Sequence, residues 1–424
     1  MRIIDPAHLS AHLPNHGHTP RVVASGNHAT PWRLLEAADS ALPEYRLFML
    51  GAQPGVPVRD GVEHETPFVG PGVRGLPSLC FLPARLSLVP RILATTHVPD
   101  LVLLHTAPPR DGMLSLGTEV NILPAAIEQC RAHGGLVAAQ INPCMPYTFG
   151  DAQISADLVD LAIAAEEPIL SPAPRPTGAD PAVFGHIGEQ VAAMIGDGAT
   201  LQAGIGAVPD AVLASLRERR DLRIWSEMIS DGVLGLERAG ALDQGTELTA
   251  SFLFGSEELY AWVDGNPRLR LLRTETVNDP ARISARASMT SINTALQVDL
   301  YAQANASYVR GRIHSGFGGQ SDFVVGALHS PGGQAIIALA AWHAKTDSST
   351  IIGHLAEPVT SFQHTAVVTE VGRADLFGLC QRDQAANLIE RAARPEAREQ
   401  LRAQAAALGL GEATGARVGA VAWA

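Results

Sequence analysis

Residues Arg223–Gly240 read RIWSEMISDGVLGLERAG, and the fold class follows from how that stretch is punctuated. Leu222–Trp225 is a short apolar run of strand type, and Ser230-Asp231-Gly232 is a turn. Val233–Ala239 then has helical spacing that stops at Gly240. Glu227 therefore falls at the carboxyl end of a strand, the edge at which open α/β sheets place their ligands. Immediately upstream, TLQAGIGAVPDAVLASL (Thr200–Leu216) follows the same order: strand, a loop at Gly204-Ile205-Gly206, then a helix. Pro209 suits the first turn of that helix, and Asp210 complements its dipole. Exposed backbone N–H groups near a strand-end carboxylate suit acyl transfer.

Composition sets the outer limits. The chain has 424 residues, 46% hydrophobic and 17% charged, which places it among ordered α/β proteins with room for about two or three domains. Its formal charge is −12 with no basic run, which argues against nucleic acid or an anionic membrane as partner. Cys80, Cys130, Cys144 and Cys380 are widely spaced and read as reduced thiols rather than a disulfide framework. The amino terminus lacks a secretory pattern, and no apolar run approaches the roughly 18 residues of a membrane span. A cytoplasmic protein is expected. His8 and His12 have the spacing of a helical metal pair, but Pro14, Gly17 and Pro20 interrupt the segment and no further ligand completes a site. No metal is expected.

From Arg21 onward strands and helices alternate. Strands are expected at Arg21–Gly26, Tyr45–Leu50, Asp100–His105 and Leu136–Asn142, with helices opening at Thr30 and Ile122. The glycine-rich Thr66–Gly75 loop carries Arg74 but lacks the P-loop lysine, and reads as a plain turn. The proline-rich EPILSPAPRPTGADP (Glu167–Pro181) marks a linker. Residues 1–180 and 181–424 are therefore expected to form two open α/β domains with largely parallel sheets, the second carrying Glu227. In that second half, Ser251–Gly255, Leu269–Thr274, Ala335–Ala341 and Ala366–Glu370 read as strands, and Val277–Pro280 as a turn. The chain from Gln384 onward reads as helical.

The inventory of reactive groups is short. Glu227 and Glu370 each end an apolar strand, and a second glycine loop runs Gly316-Phe317-Gly318-Gly319. The sequence contains no H-E-x-x-H, P-loop or G-x-S-x-G element, and after Gly204 and Gly206 the third glycine of a dinucleotide fingerprint is replaced by Pro209. The plausible reactive group is thus a carboxylate. Paired carboxylates also occur in glycosidases, but aromatic residues, the usual sugar platforms, make up only 5% of this chain.

Five blocks, in order along the chain, carry a family resemblance: DGATLQAGIGAVPDAVL, WSEMISDGVLGLERAG, SINTALQVDLYAQ, SGFGGQSDFVVGALHSPGGQAIIAL and VVTEVGRADLFG. Together they resemble the acetyl-CoA hydrolase/transferase family, which includes 4-hydroxybutyrate and succinyl-CoA:acetate CoA-transferases. The resemblance implies two tandem CoA-transferase-type α/β domains in a homodimer or higher oligomer. It implies that Glu227 is a nucleophile forming a glutamyl-CoA thioester. Amides of the two loops, Gly204-Ile205-Gly206 and Gly318-Gly319, are implied as oxyanion and CoA contacts, chiefly around Ile205 and at Gly319. Glu370 is implied as a group that orients the nucleophile, and Arg175 as an interdomain orienting arginine. Coenzyme A enters as a substrate, with no tightly bound cofactor, and the partners are an acyl-CoA and a small carboxylic acid. Hydrolysis of an acyl-CoA on the same site, or acyl-CoA binding without turnover, are the competing readings.

Departures from the family pattern touch basic positions. Val325 stands where many relatives carry arginine, Phe377 lies in the usual L-R-G block, and Val371 replaces a common tyrosine. Ser361-Phe362-Gln363 replaces a threonine and arginine. The nucleophile block and both glycine loops are intact, so the resemblance extends to the reaction type and not to the identity of the substrate.

Overall fold

The computed structural model describes residues 1–13, 17–171, 181–361 and 363–414. The chain forms two compact units. One takes Met1–Pro172, Glu247–Val277 and Arg312–Gly318, and the other takes Ala173–Thr246, Asn278–Gly311 and Gly319–Ala424. The expected break at residue 180 lies in the 172–180 stretch, outside the described residues, as does Arg175.

The first unit is built on a parallel sheet. Its strands are β1 (Arg2–Ile3), β2 (Arg21–Ala24), β3 (Tyr45–Phe48), β4 (Val62–Thr66), β5 (Leu79–Phe81), β6 (Leu101–Arg110), β7 (Leu136–Ile141) and β8 (Leu161–Ala164). They lie in the order β1-β8-β7-β6-β2-β3-β4-β5, and each pairing along that path is parallel. Val22, Val23 and Leu101–Leu104 are buried on both faces, as continuous apolar runs in a covered parallel sheet should be. Helices α1 (Trp32–Ala41) and α2 (Leu123–Ala132) supply the crossovers. The two later excursions join this unit through backbone pairing. Leu269–Leu271 lies between Leu248–Ala250 and Phe149–Gly150 in a small parallel sheet. Ser315 O accepts from Val69 N–H at 2.7 Å, and His314 O from Arg74 Nε at 2.6 Å. The Thr66–Gly75 loop is therefore a seat for residues 312–318.

The second unit repeats the plan with β9 (Thr200–Ala203), β10 (Arg223–Ile224), β11 (Met289–Asn293), β12 (Gln334–Ala338), β13 (Ala366–Val368) and β14 (Arg373–Asp375). Their order is β10-β9-β11-β12-β13-β14, parallel except for the last pair. Helices α3 (Pro181–Ala192), α4 (Ala207–Ser215) and α5 (Asp231–Arg238) pack in succession. The short α6 (Pro280–Ser284) packs on α7 (Gln320–His329). A separate apolar cluster gathers Val298, Leu300, Ile351, Leu376 and Leu388 under α8 (Gln381–Asn387) and α9 (Pro395–Ala407).

Several local expectations needed correction. Helix α5 begins at Asp231, two residues before the expected start, because Ser230 is already an extended N-cap and Asp231 complements the dipole. Thr274–Val277 is a helical turn rather than a strand end. Strand β4 had no sequence-based expectation, because its charged centre, Glu63-His64-Glu65, obscured an apolar pattern.

Candidate active site

Strand register brings the two decisive sequence blocks together. In the parallel pair β9/β10, Thr200 faces Arg223 and Leu201 faces Ile224. Trp225 N–H continues the ladder to Leu201 O at 3.1 Å, and Ser226 Oγ donates to Ala203 O at 3.3 Å. Gly204 directly follows β9 and Glu227 lies three residues beyond β10, so both come after the carboxyl ends of neighbouring parallel strands.

The loop Gly204-Ile205-Gly206 then turns into α4. Gly206 has φ +131°, a conformation that a residue with a Cβ resists. A Cβ placed on Gly204 or Gly206 would meet nothing within 4 Å, and the Ile205 side chain is exposed. The loop is thus uncovered at both glycines. Beneath it, Gln202 Oε1 accepts from Ser291 Oγ at 2.7 Å and from Asn293 Nδ2 at 3.3 Å, a buried polar network joining β9 to β11. Asp210, in the first turn of α4, carries a carboxyl pushed above its ordinary pKa by burial and by Asp231. Ser230 Oγ donates to it at 3.5 Å.

Glu227 is half-buried and held from one direction by a residue to which sequence reasoning assigned no role. Asn278 Nδ2 donates to Glu227 Oε2 at 3.1 Å. Asn278 itself is fully buried, and its Oδ1 has no hydrogen-bond partner among the described residues. Gly319, the N-cap of α7, lies against the same carboxylate: a Cβ there would fall 1.9 Å from Oε2 and 2.3 Å from Asn278 Nδ2. Its φ of −90° would suit any residue, so the requirement for glycine is one of space. Asn278 sits in Val277–Pro280, which reads in sequence as a plain turn. The signal was therefore no stronger than an asparagine before Asp-Pro.

Two further sequence candidates, Gly318 and Glu370, have contacts of their own. Gly318 belongs to the first unit, with φ +54° and an added Cβ 3.2 Å from the Phe68 ring. Glu370 follows β13, and β9, β11 and β12 intervene between β13 and β10. At ordinary strand spacing β10 and β13 themselves are about 19 Å apart. Its Oε2 accepts from Ala341 N–H at 2.8 Å, and its Oε1 pairs with Arg394 Nε at 3.2 Å. The structure thus brings Gly204, Ile205, Gly206, Gly319 and Glu227 to one end of the sheet and gives Glu370 a separate ion pair. Among the described residues, no group of His, Cys, Asp and Glu is arranged to hold a metal ion, and no helix is long and apolar enough to cross a membrane.

This architecture is that of the α/β CoA-transferases. The crystal structure of 4-hydroxybutyrate CoA-transferase from Porphyromonas gingivalis matches 96% of this chain and 98% of its own, with a TM-score of 0.80 at 27% identity. RipA from Yersinia pestis matches over the same shares with a TM-score of 0.88 at 26% identity. In sequence, 4-hydroxybutyrate coenzyme A transferase of Clostridium kluyveri is 38% identical over 325 residues, covering 74% of each chain. Residues 255–405 match the model of the acetyl-CoA hydrolase/transferase C-terminal domain. The chain belongs to the acetyl-CoA hydrolase/transferase family, and is an enzyme with CoA-transferase or acetyl-CoA hydrolase activity.

Proposed function

We propose that this protein moves coenzyme A between a short-chain acyl-CoA and a small carboxylate, with Glu227 as the covalent nucleophile. The observation that carries the reading is the paired hold on one oxygen of Glu227, where Asn278 donates to Oε2 and Gly319 leaves room for it.

With Oε2 held, Oε1 is the attacking atom. Its attack on the thioester carbonyl places a negative charge on the substrate oxygen, for which backbone N–H groups at Ile205 and Gly319 are the proposed donors. One such donor contributes about 10²–10³ in rate. Collapse expels CoA thiolate and leaves an acyl-glutamyl anhydride. The thiolate then attacks the glutamyl carbon, and the charge that develops now resides on Oε2. The Asn278 carboxamide therefore meets the second oxyanion without rearrangement. Loss of the carboxylate product leaves a glutamyl-CoA thioester. An incoming carboxylate runs the sequence backwards, which splits one difficult exchange into easier covalent steps. No bound cofactor enters the scheme.

Hydrolysis is the second reading, favoured by the family description that names both activities. Water in place of the acceptor acid would release free CoA. One experiment tests the nucleophile: incubate with acyl-CoA, treat with borohydride and map the modified peptide by mass spectrometry. Modification is expected at Glu227 and absent in Glu227→Ala, and a label on another residue would refute the mechanism. Release of CoA with and without an acceptor acid separates transferase from hydrolase.

A further inference from the structure

We infer that Arg286 is a positioning residue for the Glu227 carboxylate, acting through Trp225, an inference that rests on Glu227 being the nucleophile. Strand β10 is at the edge of its sheet, and its ladder with β9 pairs Arg223 and Ile224 and ends with the Trp225 N–H bond to Leu201 O. That ladder therefore stops short of Glu227. Side-chain contacts help to set where Glu227 points.

Trp225 and Glu227 are two residues apart, just beyond the end of β10. One short segment holds both. At its start, Asn278 Nδ2 reaches Glu227 Oε2 at 3.1 Å. At its end, the guanidinium carbon of Arg286 sits 3.9 Å over the Trp225 ring. Between these contacts, α6 is wedged against α7: Ile283 is fully buried, and a Cβ on Gly326 would fall 2.5 Å from it. The main chain at Arg286 is pinned too, because Ser330 Oγ donates to Arg286 O while accepting from Met289 N–H at 3.1 Å. Segment 278–286 is thus a brace with a rigid middle and one contact at each end.

Arg286 is an expensive choice for simple packing. Its Nε is buried without a hydrogen-bond partner among the described residues. Burial and the neighbouring charge of Arg282 both lower its pKa. A leucine or methionine would fill this space without burying charge. A cation over an indole face adds a directional attraction that an apolar chain lacks, and it orients the ring. Fixing Trp225 fixes the register of the brace against β10, and with it the meeting of Asn278 and Glu227.

The test compares Arg286→Met, which keeps length and loses charge, with Arg286→Lys, which keeps a cation over the ring. Arg286→Met is expected to lower kcat about ten-fold, the scale of a sub-ångström misplacement of a reacting group, with KM for acyl-CoA changed less than about two-fold. Arg286→Lys should recover most of that loss. Adding Trp225→Leu to Arg286→Met should lower kcat little further, since both act through one contact. A crystal structure of Arg286→Met should show Glu227 Oε2 moved away from Asn278 Nδ2. An unchanged kcat in Arg286→Met would overturn the inference, and so would an unchanged Glu227–Asn278 contact in that crystal. If the unaltered protein turns over no acyl-CoA, the nucleophile reading fails, and the crystal still decides whether Arg286 positions Glu227.

Discussion

Gly319 and Glu227 are in contact so close that a methyl group on the glycine would lie 1.9 Å from Glu227 Oε2. The backbone at Gly319 would accept alanine without strain, since its φ is −90°. Gly319→Ala is therefore expected to displace the carboxylate rather than the helix. Turnover should fall at least about 10²-fold, the usual effect of misplacing a reacting group by about 1 Å. Thermal unfolding should show the fold intact. Near-normal kcat in Gly319→Ala would mean that the carboxylate does not act from this position.

Asn278→Ala removes the donor to Oε2 but leaves Glu227 in place. The expected loss is about 10²–10³ in kcat, as for other oxyanion donors. Asn278→Asp should be at least as damaging, because a buried carboxyl would face Glu227 across about 3 Å and one of the two would have to take a proton. Steady-state kinetics with a fixed acyl-CoA and acceptor measures both.

Glu370 offers a sharp contrast. With its carboxylate spent on Ala341 N–H and Arg394, Glu370→Gln is expected to cost about 1–2 kcal/mol of stability. Its kcat should change less than about ten-fold, since both of its oxygens already have partners other than Glu227. A hundred-fold fall in kcat at unchanged melting temperature would instead give Glu370 the orienting role that family resemblance implies.

The first unit contains two buried groups whose titrations oppose each other. Burial raises Glu119 from 4.5 to about 7, despite hydrogen bonds from Asn27 and Asn121 at 2.8 Å each. Burial lowers His105 from 6.5 to about 4. Because the folded pKa of Glu119 is raised, its contribution is fully present below about pH 4.5 and is lost as pH climbs through 7. Because that of His105 is depressed, its contribution is present above pH 6.5 and is lost as pH falls towards 4. Each is worth about 3.5 kcal/mol at roughly 1.4 kcal/mol per pH unit, so the two nearly cancel between about pH 4.5 and 6.5. Glu119→Gln removes one side of the balance. Its stability, followed by chemical denaturation, should decline steeply from pH 6.5 to 4.5, where the unaltered protein changes little.

Much of the site was legible locally. The apolar run before Glu227, the glycine pair before Pro209 and the stop at Gly240 are signals acting within a few residues. They led to the expectation of a carboxylate and an open loop near strand ends, and the strands that precede the two blocks pair in parallel. Local signals were weaker where charge covered an apolar pattern, as in Val62–Thr66, and where a cap decided a helix start, as at Ser230.

The chain's own order of residues determined the kind of fold, the strand-end position of Glu227 and the family to which the blocks belong. These depend on periodicity and turn chemistry, which act over one or two helical turns. Tertiary structure alone decided that Asn278, 51 residues away, would grip Oε2, that Gly319 would lie flush against it, and that Glu370 would pair with Arg394. Such meetings depend on how α6 and α7 pack on the sheet and on the order of its strands. Close packing settles them for the domain as a whole, and no short window of sequence contains them.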